Sequence, residues 1–355
     1  MNKIDRNIYE DRLKAAFLCR AAGCTLGAPV EGWKTDMMEE HAKKLGTAFP
    51  PKDYWKEIPD PGRVRYIIET FGNYTKGKLC RIPCDDDTCY TLLSLFIAEQ
   101  AENFPDITLD DVAKAWKKYI TEAYTAEEAA LRNLKNGVPP EKAAEIDNPY
   151  DEWIGADIRC DGYGYMNPGN PAEAAKMAET DARISHRNNG VYGSRYFAAA
   201  ISLGFLLSDV KASLYGALAY IPSDSLLYES LSWALSLWGK VKDYREASAL
   251  VDERFPDMHP VHTINNACLT VFALSLGQND AGSVIANAVS MAHDCDCTAA
   301  TAGSVIGANL GMECLDEKWY KPFNDRIGCF YNGDHEYRIS DILKRFEKLA
   351  ERFIK

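Results

Sequence analysis

Three short runs in this 355-residue chain combine residue types that could do chemistry. Asp85-Asp86-Asp87-Thr88 stands directly before the apolar stretch Cys89 to Ala98. Three adjacent carboxylates repel one another, and capping a helix needs only one, so the surplus suits a hard cation; a simple acidic cap is the alternative. Asp294-Cys295-Asp296-Cys297-Thr298 puts two more acids ahead of the small-residue stretch Ala299 to Gly311. Two acidic helix N-termini brought together would supply the oxygen-rich shell that Mg²⁺ or Mn²⁺ requires. Neither run is an EF-hand loop, because the required glycine and the glutamate at the twelfth position are missing. Zinc on Cys84, Cys89, Cys295 and Cys297 would need paired Cys-x₂-Cys knuckles, which the spacing lacks. The third run, Gly23 to Glu31, closes the first apolar helix: Gly27 and Pro29 end it and leave Glu31 on a turn. Taken alone, such a glutamate reads as solvated surface.

The elements that must position these residues read as helices. Apolar residues recur at three-to-four spacing through most of the chain, with few alternating β-branched runs, so the predicted class is all-α: a compact multi-helix globule. Thr108 with Asp111 and Thr125 with Glu128 read as capping boxes, Gly137 with Pro139 and Pro140 as a stop, and Asn170 before Pro171 as a start. Helices are expected near residues 189–207, 208–221, 223–238, 244–255, 263–276, 281–293, 298–310 and 340–354. Gly303, Gly307 and Gly311 recur every four residues, which predicts close backbone packing of that helix and burial of its Asp294 end. Residues 49–78 and 148–170 lack periodicity and read as long loops able to carry binding groups.

Composition narrows the function. With 46% hydrophobic and 26% charged residues, the chain can bury a large core, and no polar linker divides it, so one domain over residues 1–355 is expected. A net charge of −12 argues against a nucleic-acid backbone as partner. The charged start and the interruption by Arg20 leave no targeting or membrane segment in view, and the 11 cysteines read as reduced, mostly buried thiols of a cytoplasmic protein.

In their order, the three runs resemble the motifs of the ADP-ribosylglycohydrolase family, to which dinitrogenase reductase-activating glycohydrolase belongs. Those motifs are Gly-Asp-x-x-Gly-x-Pro-x-Glu near the N-terminus, Thr-Asp-Asp-Thr about a quarter of the way along, and Asp-x-Asp-Thr near the end. The resemblance implies that Asp86, Asp87, Asp294 and Asp296 ligate two divalent ions, Mg²⁺ or alternatively Mn²⁺, at helix ends, and that Glu31 is catalytic. Asp85 and Cys297 stand where the family has ligating threonines, and Cys24 stands where it has an aspartate. The Asp-Asp-Asp-Thr and Asp-x-Asp-Cys forms resemble one subgroup of the family. His186, in Ile184-Ser185-His186, resembles a histidine near the substrate, with a core histidine as the alternative. Gly162, Tyr163, Gly164, Tyr165 and Asn167 fall where the family has its distal ribose and adenine loop, with an ordinary turn as the alternative. His262 and Asn265, with Asn266, fall at a helix start near the substrate, where capping is the competing role. The implied activity is hydrolysis at C1 of an ADP-ribosyl group on a modified protein or small molecule. Cleavage of another ribosyl glycoside and a catalytically silent binding protein are the alternatives; retention of Glu31 and the four aspartates argues against the second.

Overall fold

The computed structural model describes residues 3–355. The first five α-helices are α1 (Arg6–Gly27), α2 (Thr35–Lys44), α3 (Asp86–Gln100), α4 (Leu109–Tyr119) and α5 (Thr125–Lys135). Next come α6 (Asp161–Met166), α7 (Pro171–Ala182), α8 (Asn188–Gly204), α9 (Val210–Ala217) and α10 (Leu226–Ser236). The series closes with α11 (Tyr244–Arg254), α12 (Thr263–Gly277), α13 (Ala281–Ser290), α14 (Cys295–Leu310) and α15 (Ile339–Ala350). Two small antiparallel hairpins, β1 (Val64–Arg65) with β2 (Glu69–Thr70) and β3 (Arg326–Gly328) with β4 (Glu336–Arg338), complete an all-α molecule. Among the described residues, no helix is long and apolar enough to cross a membrane.

The packing of α1 on α14 sets up everything that follows. Both helices are buried along most of their length, and small residues let their backbones touch. A methyl group added at Gly307 would lie 2.5 Å from the Ala15 backbone, and one at Gly27 would lie 2.5 Å from Asp296 Cα. One at Gly303 would strike the Cys19 carbonyl, and one at Gly23 the Ala299 carbonyl. The pairings 27 with 296, 23 with 299, 19 with 303 and 15 with 307 run in opposite directions, so the helices are antiparallel. The end of α1 therefore meets the start of α14. The glycine spacing carries the predicted close approach, and it needs residues without side chains on both helices.

Most helix boundaries follow their local signals. Thr108 and Asp111 form a reciprocal capping box on α4, and Gly239, at φ +74°, closes the chain after α10. Three expectations change. Thr125 does not cap: it lies inside α5 at φ +49°, after Tyr124, so the second capping box does not form. Helix α14 starts at Cys295 rather than Thr298, which takes Asp296 and Cys297 into its first turn. Residues 148–170 are not an open loop, because a 3₁₀ segment, Ile154–Arg159, and α6 occupy most of them. The cysteines are free thiols, all buried except Cys80.

Candidate metal centre and catalytic cleft

Asp85 opens α3 as its N-cap and accepts a hydrogen bond from the Asp87 amide at 3.4 Å, an amide that Asp86 Oδ1 also accepts at 3.0 Å. Asp86 and Asp87 occupy the first turn, where the helix dipole favours negative charge. At α14 the arrangement differs. Asp294 is the N-cap residue but makes no capping bond, because Ala292 and His293, both in left-handed conformations, turn the chain just before it. Its amide is held by Asn266 Oδ1 at 3.4 Å, and its carboxylate lies with those of Glu31 and Asp296. Asp296 follows in the first turn of α14.

The antiparallel contact then brings in Glu31. Residues 28–30 form one 3₁₀ turn after α1, ending at Glu31 beside the start of α14. Glu31, Asp294 and Asp296 offer carboxylate oxygens within 4.8 Å of one another; two further groups, Asp87, Asp296 and Cys297, and Cys24, Asp85 and Asp87, bring carboxylate oxygens and a cysteine Sγ equally close. Three elements distant in sequence thus converge on one acidic centre. Cys24 belongs to it, through its thiol sulfur beside Asp85 and Asp87. Its signal was available in the sequence, since it stands where the first motif has an acid.

Burial makes this centre energetically demanding. Asp87 Oδ2, Asp294 Oδ1 and Asp296 Oδ1 are buried without any hydrogen-bond partner. Burial pushes Asp87 up to about 8 against the opposing Arg20. Burial, with Glu31 next, pushes Asp294 up to about 7. Asp296 is raised by burial and Glu31, and Asp86 by burial and Asp85. Burial, with Asp294 and Asp87 next, raises Cys297 too, so the thiol stays protonated without a cation nearby. A cluster in this state either holds protons or recruits positive charge.

Two arginines supply part of that charge. Arg20, buried in α1, pairs with Asp87 at 3.3 Å and Asp161 at 3.0 Å and donates to Thr91 Oγ1 and the Ile158 carbonyl. Burial opposes its charge, but Asp161 and Asp87 outweigh that and raise its pKa. Arg65, on β1, donates from Nε to Asp85 at 2.7 Å and from its two terminal nitrogens to Glu31 at 2.7 Å and Asp296 at 2.9 Å. Neither arginine was singled out from the sequence. An arginine in an apolar helix and one in an aperiodic segment carry no local signature of their partners.

A cavity of about 420 Å³ opens above the centre. Glu31, Asp86, Asp294, Asp296 and Cys297 line one side, and Tyr66, Phe71, Tyr90, Tyr124 and Trp153 line another. Both aperiodic segments contribute, through Arg63 to Phe71 and through Trp153 to Ile158. Backbone bonds from Ile154 to Val261 at 3.0 Å and from Thr263 to Glu152 at 3.1 Å tie the second segment to the start of α12.

The structure does not bring the other candidates into this cavity. Gly162, Tyr163, Gly164, Tyr165 and Asn167 lie in or just after α6 and are buried. Gly164 packs against Ile201, Tyr165 hydroxyl meets Ser304 at 2.5 Å, and Asn167 donates to the Tyr163 carbonyl at 2.9 Å, so no tyrosine face is free to stack on a purine. Their Gly-Tyr pattern packs a helix and makes no exposed turn. His186 is wholly buried with Nδ1 at 2.8 Å from Ser185 Oγ, the core alternative, and burial then Arg159 lower its pKa. His262 caps α12 by accepting from the Ile264 amide at 3.2 Å, and Asn265 donates to the His259 carbonyl at 2.9 Å. Asn266 is the member of this group that reaches the centre, by holding the Asp294 amide.

Comparison with known proteins bears on the family and the fold. No curated protein matches the chain. Among 46 matching solved chains, one described as an ADP-ribosylglycohydrolase-related protein complex shares the fold. It superimposes with a TM-score of 0.63 at 17% identity, over 98% of this chain and 100% of that one. The ADP-ribosylglycohydrolase family description matches residues 5–354. With acidic helix ends converging beneath one cleft and a family match over nearly its whole length, the chain belongs to the ADP-ribosylglycohydrolases, a family of glycoside-cleaving hydrolases that act on ADP-ribosyl groups.

Proposed function

We propose that the protein removes ADP-ribose from a modified protein or small molecule by hydrolysis at C1 of the attached ribose, and does so with two divalent cations, Mg²⁺ or Mn²⁺. The supporting observation is the set of buried, unpartnered oxygens on Asp87, Asp294 and Asp296, which two arginines leave unsatisfied. Asp86 and Asp87 from α3, with Asp294 and Asp296 from α14, are the carboxylates that would hold the cations. Asp85 adds an oxygen, whereas the Cys24 and Cys297 thiols are soft groups poorly matched to Mg²⁺. When bound, such ions would engage ribose hydroxyls and acidify a water.

The chain's own groups do the rest. Glu31 stands at the cavity rim, its side chain 39% exposed, where it can take a proton from the attacking water or pass one to the leaving group. Cleavage builds positive charge on the sugar ring, which the surrounding carboxylates stabilise. Phe71, Tyr124 and Trp153 offer aromatic surface to sugar or base and, with Tyr66 packed behind, restrict water on that side. One further observation favours a second reading, a ribosyl substrate lacking the diphosphate: among the described residues, Arg63 and Arg65 are the only basic side chains on the cavity wall, and Arg65 is already tied to three acids.

The test is release of free ADP-ribose from arginine-, serine- and O-acetyl-linked ADP-ribose with Mg²⁺, Mn²⁺ or EDTA, beside Glu31→Gln. The expected outcome is metal-dependent release, reduced about 10²-fold or more in the variant. Release unaffected by EDTA would remove the metals from the reaction. Wild-type turnover in Glu31→Gln would remove Glu31. Silence on all three linkages, with cleavage of an uncharged riboside, would establish the second reading.

A further inference from the structure

Arg65 is placed as no peripheral residue would be. Its three donating nitrogens reach three carboxylates from three separate elements: Asp85 at the start of α3, Asp296 in α14 and Glu31 after α1. Tyr74 hydroxyl lies 2.8 Å from the Cys84 carbonyl and 3.2 Å from the same Asp85 oxygen, its one proton shared between them, and the Tyr66 ring lies 5.0 Å from the guanidinium carbon. These acids reach all three ligand groups: Glu31 and Asp296 with Asp294, Asp296 with Asp87 and Cys297, and Asp85 with Cys24 and Asp87. The guanidinium therefore spans the centre.

The backbone that carries Arg65 is built to hold it there. Hairpin β1–β2 is fastened by Phe71 amide to Arg63 carbonyl at 3.1 Å and by buried Glu69, which accepts from the Cys84 amide at 2.9 Å and from Arg81 at 3.0 Å. Tyr66 stacks on Phe330 with ring centres 5.1 Å apart. Cys84 directly precedes Asp85, so the hairpin and the acidic cap are locked in register. An arginine presented this way supplies one positive charge in a fixed fork.

We propose that the Arg65 guanidinium is the resident counter-cation of the acidic centre and competes with divalent metal for Glu31, Asp85 and Asp296. The inference rests on the metal reading above. A carboxylate oxygen that accepts an N–H bond at 2.7 Å has one lone pair engaged and its charge partly neutralised, so it is a weaker ligand for Mg²⁺ or Mn²⁺. The guanidinium charge also repels an incoming ion across a few ångströms of poorly solvated protein. Metal loading therefore works against the guanidinium charge and its three hydrogen bonds, and metal affinity is set partly by what weakening them costs. In the metal-free protein, Arg65 keeps the centre partly neutralised, which one charge cannot complete.

The experiment is calorimetric titration of Mn²⁺ into EDTA-treated, dialysed wild type, Arg65→Gln and Arg65→Lys, with melting temperatures recorded with and without Mn²⁺. Arg65→Gln should bind Mn²⁺ about tenfold or more tightly than wild type, with Arg65→Lys between them, because lysine keeps the charge but cannot fork to three acids. Metal-free Arg65→Gln should melt below wild type and be raised further by Mn²⁺. Wild-type binding with Arg65→Gln equal to it or weaker overturns the competition and leaves the metal reading intact. If no form binds Mn²⁺, both fall. Should Arg65→Gln not fold, Arg65→Lys decides: affinity above wild type supports the proposal, and affinity at or below it overturns it.

Discussion

Asp294 shows how one residue can occupy a structural position and decline its structural job. It is the N-cap of α14 yet caps nothing, because Ala292 and His293 turn the chain and Asn266 takes up its amide. The carboxylate, free of capping, joins Glu31 and Asp296 in the centre. Asp294→Asn should keep the fold and lose Mn²⁺ binding measured by calorimetry; unchanged stoichiometry and affinity would remove Asp294 as a ligand. His186 makes the opposite case, a histidine held neutral by burial and by Arg159 and Arg187. Below its ordinary value of 6.5 the unfolded chain takes up a proton that the fold excludes, so its contribution to stability is present above that pH and lost as pH falls. The loss is about 1.4 kcal/mol per pH unit while only the unfolded state protonates. His186→Gln should show a correspondingly smaller decline in denaturation free energy between pH 6.5 and 5; equal slopes would rule the histidine out.

At the scale of elements, α1 and α14 act as a gauge that sets the spacing of the ligands. Gly27 abuts Asp296, whereas Gly303 abuts Cys19 near the middle of the contact. Adding a methyl at either forces backbone apart, since the obstructing atoms are not flexible side-chain ends, and should cost about 1–3 kcal/mol in chemical denaturation. Only Gly27→Ala should also weaken Mn²⁺ binding, because it displaces the turn that carries Asp296. Equal metal affinity in Gly27→Ala and Gly303→Ala would show that the helix contact supports the fold without tuning the centre.

Across the whole molecule, the two ends of the chain are stitched together. Ile4 bridges Ile354, α1 packs on both α14 and α15, and the centre draws on residues from Cys24 to Cys297. Such a chain should unfold as one unit: calorimetry should give a single cooperative transition for all 355 residues, and two resolved transitions would establish independent domains.

Periodicity and capping chemistry are local, so the sequence already carried the all-α class, most helix boundaries and the close packing of the glycine-rich helix. The acidic runs were legible for the same reason: three consecutive carboxylates exceed what a cap requires, and their order along the chain resembled one family. Partnerships between distant residues were not legible. That Glu31 meets Asp296 follows from the antiparallel contact of α1 with α14, and that Arg65 enters the centre follows from the anchoring of its hairpin by Glu69 and Tyr66. The Gly-Tyr run at residues 162–165 has the composition of a binding loop, but surrounding helices fill the space on every side and turn it into core. Local chemistry determines which residues can form a helix or bear a charge; only the tertiary arrangement decides which charges must share one buried volume.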